Sequence, residues 1–263
     1  MKIAQLQVQV IGHTVFIPPM IHDEHGTPEF FTGYHESNIE QDSGAPGAHS
    51  TGYPESSLPG SAQSLLEFAG RSCYESYDRP NPRTASNRGY LANILEAGHH
   101  SVLEHASVSF YITGISRSLT HELIRHRHFS FSELSQRYVD VATAALVVPP
   151  AFEDYEDGQL VYAGRNASKS YDLVAETLQE GGVKGKKVRE AARAVMPNMT
   201  ETKMVLTGNY RALIHFLRMR DSVHADAEIQ RLAQEIGRLM AGIAPNIFGG
   251  PARAIWQDNA DAA

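Results

Sequence analysis

Polar and apolar positions alternate near the start of the chain, with Ala4, Leu6, Val8 and Val10 set against Gln5, Gln7 and Gln9. A period of two predicts a strand with one wet face. Ala106, Val108, Phe110 and Ile112 alternate with Ser107, Ser109, Tyr111 and Thr113, which predicts a second half-buried strand, broken by Gly114. Leu146-Val147-Val148, ahead of two prolines, reads as a short apolar strand, and Met204 with Leu206 as another. Helical spacing covers the rest. Leu65, Leu66, Phe68 and Ala69 predict a helix running from Ser61 towards Cys73, and Ser86 to Ala97 a second one stopped by Gly98. Ser116 or Ser118 can cap a helix that turns Leu119, Leu123 and Ile124 inward. Tyr171, Leu173, Val174 and Leu178 predict a further helix. Val188, Ala191, Ala192 and Val195 predict one ending before Pro197, and Ile229, Leu232, Ala233, Ile236, Leu239 and Ile243 a long one. Strands and helices mix without βαβ alternation, so the expected class is α+β.

Residues 23–60 break this pattern. They are rich in Gly, Pro, Ser and His and carry no sustained period, which predicts a long flexible loop. The loop also changes the meaning of the net charge of −7. It holds Asp23, Glu24, Glu29, Glu36, Glu40, Asp42 and Glu55 and no Lys or Arg, so the remainder of the chain is neutral. An acidic protein would be a poor host for anions, but a neutral scaffold is not. The expected organisation is a single catalytic domain over residues 1–263 with an acidic insertion at 23–60. A lone Cys73 excludes an intrachain disulfide and a Cys-rich zinc site, and suits a reducing cytoplasm. Cys73 is expected to be buried, as free Cys packs like a small hydrophobe. No apolar run approaches the roughly 20 residues of a membrane span.

Several catalytic motifs are missing. There is no Gly-x-Gly-x-x-Gly after a strand and no Gly-x-Ser-x-Gly, and Gly181 to Lys187 matches a phosphate loop only loosely, so it reads as a basic loop. His121 and His126 are five apart, about 140° round a helix, which a zinc site on one face cannot use; no metal is expected.

The polar chemistry concentrates in Arg125-His126-Arg127 and, downstream, Ser135-Gln136-Arg137-Tyr138. At a helix end Arg125 and Arg127 can both turn towards one ligand, and in an extended chain Ser135 and Arg137 share a face. Arg suits bidentate recognition of phosphate and stacks on flat rings. The set therefore fits a phosphorylated ligand with a heteroaromatic ring, or alternatively a solvated basic helix end. Arg211 and His215, four apart after Asn209, with Arg193 and Arg220, add weight to an anionic pocket. Two rivals remain at this level: a metal-dependent nucleotide hydrolase using His99, His121 and His126, and a nucleic-acid-binding helix over 117–138.

Arg125-His126-Arg127, seven residues and then Ser135, resembles the signature of the flavin-dependent thymidylate synthases, and the resemblance extends from about Ser64 to Phe248, looking closest to actinobacterial members. It implies a twisted antiparallel sheet packed with helices, assembled as a homotetramer with flavin sites between subunits. It also implies reductive methylation of dUMP to dTMP, with methylenetetrahydrofolate as carbon donor and NADPH-reduced FAD as hydride donor. No cysteine nucleophile is used, and neither nucleic acid nor membrane is a partner. By the same resemblance FAD meets Ser101, Arg125, His126, Arg127, Glu133, Asn209, Arg211 and His215. The nucleotide meets Glu122, Leu123, Ile124, Arg125, Glu133, Leu134, Ser135, Gln136, Arg137, Arg193 and Arg220. Arg220 stabilises charge developing at the uracil N3 edge, and Ser135 positions the substrate.

Overall fold

The computed structural model describes residues 2–17, 19–22, 25, 28–30, 61–77, 81–153 and 158–258. The expected acidic insertion thus lies outside the described residues, apart from His25 and a short strand at Pro28–Phe30.

Among the described residues, six strands run as β1 (Gln7–His13), β2 (Met20–His22), β3 (Pro28–Phe30), β4 (Ser107–Ser116), β5 (Ser130–Glu133) and β6 (Glu201–Asn209). Four of them form an open antiparallel sheet in the order β1-β4-β6-β5. β2 and β3 pair as a hairpin, Met20 opposite Phe30. The helices are α1 (Ala62–Ser72), α2 (Asn87–Glu96), α3 (Arg117–Leu123), α4 (Gly158–Glu180), α5 (Lys186–Ala192), α6 (Tyr210–Arg220), α7 (Ala227–Ile243), α8 (Pro245–Phe248) and α9 (Gly250–Asp258), with short 3-10 turns between some of them. This is α+β, as the pattern predicts.

Polar side chains start four of the helices. Ser61 Oγ accepts from Ser64 N, Ser86 Oγ from Gly89 N, Ser116 Oγ from Leu119 N and Asn209 Oδ1 from Ala212 N. Each satisfies a backbone donor that a helix start leaves unpaired.

The chain divides into two compact units, one of Met1–Gln9, Phe110–Thr207 and Arg220–Ala233, the other of Val10–Ser109, Gly208–Met219 and Gln234–Ala263. In the first, Phe110, Ile112, Leu119, Leu123, Met204, Leu206, Ile229 and Leu232 are buried, and Tyr171 packs in a smaller cluster with Val141, Ala142 and Ala192. In the second, Leu66, Leu91, Leu95, Leu213, Phe216, Ile236 and Met240 are buried. There Tyr210 and Trp256 each meet Phe248 edge-on, at 5.3 and 6.4 Å between ring centres, and Trp256 Nε1 donates to Ile247 O.

The structure corrects several expectations. The first strand begins at Gln7 rather than Ala4. Gly114 does not break β4, which continues to Ser116 with Gly114 at φ +70°. A Cβ there would meet Gln5 O at 1.9 Å, so glycine serves a close backbone approach as well as the left-handed conformation. Leu146 makes only isolated bridges, to Ile3 and Thr200. Leu173 and Ile124 are exposed, because α4 buries little of its circumference and Ile124 caps the end of α3 instead of lying within it. Cys73 is exposed, since α1 ends at Ser72 and leaves it as the cap.

Candidate active site

The Arg125-His126-Arg127 signature follows directly on α3. Ser116 holds the helix start, and its N and Oγ donate to the two Glu228 carboxylate oxygens at 2.8 and 2.6 Å. The last turn unwinds through Arg125 N to Glu122 O and His126 N to Leu123 O. At this helix end Arg125 and Arg127 are exposed while His126 is 7% exposed. The His126 ring lies 6.0 Å from Phe129, which meets Phe131 edge-on.

Arg220 ends α6 and is held at two points. Its Nε donates to His126 Nε2 at 3.1 Å and its Nη1 to Glu122 Oε2 at 2.8 Å. Because Arg is the donor, Nε2 of His126 carries no proton in this arrangement. No group of three or more His, Cys, Asp or Glu is placed to hold a metal ion among the described residues.

Glu133 ends β5, whose register against β6 places it opposite Met204. Its Oε1 accepts from Arg117 Nη1 and, at 3.0 Å, from Thr202 Oγ1. Sequence spacing did not reveal Arg117 or Thr202 as supports for Glu133, because they lie 16 and 69 residues from it. Leu134 stays in register through its N to Lys203 O, but Ser135 to Arg137 is not extended. Tyr138 N and Val139 N both donate to Ser135 O, closing a turn. Gln136 is buried, while Ser135 and Arg137 are half-buried. Leu123 is fully buried, so only its backbone can reach a ligand.

The predicted nucleotide set, Glu122 to Arg125, Glu133 to Arg137, Arg193 and Arg220, lies wholly in the first unit. The predicted flavin set divides. Arg125, His126, Arg127 and Glu133 belong to the first unit, and Ser101, Asn209, Arg211 and His215 to the second. In the second unit Arg211 pairs with Glu104 at 2.6 Å, and Arg211 and His215 are both exposed on α6. Ser101 is exposed in the turn of His100–His105, beside His100. Burial first, then the charges of Arg211 and Arg218, hold the His100 pKa below its ordinary value. A cleft of about 560 Å³ against Ile3–Leu6, Val147, Phe152 and Arg231 includes none of the predicted site residues.

Residues 57–246 match the family described as thymidylate synthase complementing protein. The chain is 55% identical over 193 residues to the flavin-dependent thymidylate synthase of Mycobacterium tuberculosis H37Rv, covering 70% of this chain and 77% of that protein. Against the proteins of the same name from Mycobacterium avium strain 104 and Mycobacterium marinum strain M, identity is 54% over 193 residues and 52% over 195, covering 70–71% of this chain and 77–78% of theirs. The chain belongs to the flavin-dependent thymidylate synthase family.

For this family the donor chemistry is apt. Flavin dinucleotide carries a pyrophosphate and a flat ring. Arg125 and Arg127 are exposed guanidinium groups with no ion pair among the described residues, and Asn209, Arg211 and His215 follow one another at and along the start of α6. The residues present fit the cofactor.

Proposed function

We propose that the protein is a flavin-dependent thymidylate synthase, methylating dUMP reductively to dTMP with methylenetetrahydrofolate as carbon donor and NADPH as reductant. The observation that carries the reading is Arg220, fixed by His126 and Glu122 immediately beside the Arg125-His126-Arg127 signature. Nη2 of Arg220 has no partner among the described residues, which leaves it for the N3 and O4 edge of the uracil. Uracil C5 is a weak nucleophile, and charge gathers on N3 and O4 as it attacks. A guanidinium already held in place stabilises that charge without reorganising. Arg137 and Arg193 clamp the dianionic phosphate. Ser135 positions the nucleotide rather than attacking it, as no base lies within hydrogen-bond reach of its hydroxyl among the described residues. Bound FAD supplies the hydride chemistry, held by Arg125, His126, Arg127 and Glu133 together with Ser101, Asn209, Arg211 and His215.

The finer features belong to the same proposal: the twisted-sheet fold of this family, one catalytic domain over the whole chain, a cytoplasmic homotetramer with flavin between subunits, and neither nucleic acid nor membrane as partner. No helix among the described residues is long and apolar enough to cross a membrane. The test is direct. The protein should be yellow or load with FAD, its flavin spectrum should respond to dUMP, and it should release tritium from C5-labelled dUMP in a manner dependent on Arg125 and Arg220. A protein that cannot be loaded with FAD refutes the reading.

A further inference from the structure

Arg218 belongs to none of the predicted sets, yet it stands beside the predicted flavin residues of the second unit. On α6 it follows Arg211 and His215 at i, i+4 and i+7, so the three lie within an arc of about 60° on a helical wheel. The other side of the helix is buried, with Leu217 against Gly237 of α7. Arg218 lies about 4.5 Å beyond His215 along the helix axis. A ligand that touches Arg211 and His215 and continues along this face therefore meets Arg218. The turn His100–His105 borders the face: Tyr210 N donates to Ala106 O at 2.9 Å and Arg211 Nη1 to Glu104 Oε1 at 2.6 Å. That turn carries Ser101, and the charges of Arg211 and Arg218 both reach the ring of His100.

Charge separates Arg218 from the residues around it. Arg211 is committed to Glu104, and Asn209 Oδ1 to the helix start. Arg218 is half-buried and has no hydrogen bond or ion pair among the described residues. The neighbouring elements supply no carboxylate for it among those residues. α6 itself carries no Asp or Glu, and the turn carries Glu104 alone. The helices packed on the turn hold their acids elsewhere, Glu67 of α1 on Arg71 and Glu96 of α2 on Arg83. Glu235 of α7 is bound by Arg238, and Asp221, the first acid after α6, is already engaged. A guanidinium partly withdrawn from water without a counter-ion gains most from a bound anion.

We infer that Arg218 is a further cofactor-binding residue, a cation that meets the pyrophosphate of FAD beside Arg211 and His215. The inference rests on the proposed function, which supplies the flavin. The phosphates carry the formal negative charge of the cofactor. Arg211 can answer it only in part, because its attraction for an anion is shared with Glu104. Arg218 contributes an undivided charge from the same helix face. Arg125 and Arg127 of the signature are the unpaired arginines of the flavin set in the first unit, and Arg218 is their counterpart in the second.

The test uses the full-length protein stripped of flavin, so that its readout is binding and not turnover. The dissociation constant of FAD is measured by flavin fluorescence for wild type, R218Q, R218K and R165Q. R165Q removes a charge of the same kind from an exposed position on α4. One charge-assisted contact corresponds to about tenfold or more in affinity, so R218Q should weaken FAD binding by that factor. R218K restores the charge without the fork and should bind FAD at least about threefold more tightly than R218Q. R165Q should stay within about twofold of wild type. An FAD affinity in R218Q within about twofold of wild type, no recovery in R218K, or an equal loss in R165Q overturns the inference. If R218Q does not fold, R218M keeps the apolar stem on a good helix former and is read by the same criteria. A wild type that takes up no FAD strikes the proposed function instead. Calorimetry with inorganic pyrophosphate then decides the inference, which stands if R218Q weakens that binding about tenfold and falls if wild type and R218Q bind it alike or not at all.

Discussion

Replacing Arg220 by lysine keeps the charge and removes the fork. Arg220 makes two charge-assisted hydrogen bonds, to His126 at 3.1 Å and to Glu122 at 2.8 Å, from a side chain 18% exposed. Bonds to a charged group contribute about 1.5–3 kcal/mol each, and the Glu122 contact is discounted because its carboxylate side chain is 38% exposed. A lysine ammonium can retain one of the two contacts and cannot present a planar edge to the uracil at the same time. Folding stability should therefore fall by only about 1–2 kcal/mol. Catalysis should suffer more. Loss of a single preorganised donor to a developing anion costs about 10²–10³ in kcat, so Arg220→Lys should lower kcat about a hundredfold. Affinity for dUMP should fall less than about tenfold, because the phosphate clamps are untouched and the lost donor acts mainly on charge that forms during reaction. Tritium release from C5-labelled dUMP measures the first quantity and a flavin absorbance titration with dUMP the second. A folded, FAD-loaded Arg220→Lys protein that keeps more than about a third of wild-type kcat would refute the argument, because the donor it lacks would then not be the one that stabilises the charge.

Other perturbations test the fold around this site. Gly114→Ala places a Cβ 1.9 Å from Gln5 O at φ +70°, so it should cost about 3 kcal/mol or more, read as a lowered urea midpoint. Tyr210→Phe should be neutral or stabilise by about 1 kcal/mol, since the phenol oxygen is buried with no partner among the described residues and burial has raised its pKa far above the ordinary value; a thermal melt lowered by several degrees would contradict this. His100 titrates below its ordinary value when folded, so the unfolded chain binds its proton first as pH falls. Stability should therefore decline as pH drops below about 6.5, down to the folded pKa, and His100→Asn should flatten that part of the profile, as urea midpoints at two pH values would record.

Local chemistry was legible in the sequence where it acts over a few residues. Ser61 and Ser86 mark helix starts because a cap needs only its own next turn, and Ser116 was one of two candidates for the same reason. Gly114 was misread because its reason lies at Gln5, more than a hundred residues away in the chain. Cys73 was misread because burial depends on where α1 ends, and a shift of one residue turned a core position into a cap. The stretch from Ser135 to Arg137 was expected to be extended, since nothing in its composition announces that Tyr138 N and Val139 N both return to Ser135 O. The site shows the same division. Arg125, Arg127, Arg137, Arg193 and Arg220 could be picked out by type and spacing. That Arg220 rests on His126, 94 residues earlier, and Arg117 on Glu133 required the fold.

Pairing sorts these arginines into two groups that residue type alone cannot separate. Arg117, Arg211 and Arg220 are each anchored on a carboxylate, Glu133, Glu104 and Glu122. Arg125, Arg127, Arg137 and Arg193 have no such partner among the described residues. An anchored guanidinium is oriented before a ligand arrives, so it can act on charge that develops later, but its attraction for a ground-state anion is partly cancelled by its own carboxylate. An unanchored one has no ion pair to break and contributes its full charge to binding. The two groups should therefore divide the work: affinity for the phosphate-bearing ligands, and its sensitivity to salt, resides in the unpaired set, while the rate of the chemical step depends on Arg220 and the residues that hold it. The chain's overall negative charge enters neither quantity, because the acids that create it are concentrated at residues 23–60 and the cations that bind are concentrated elsewhere.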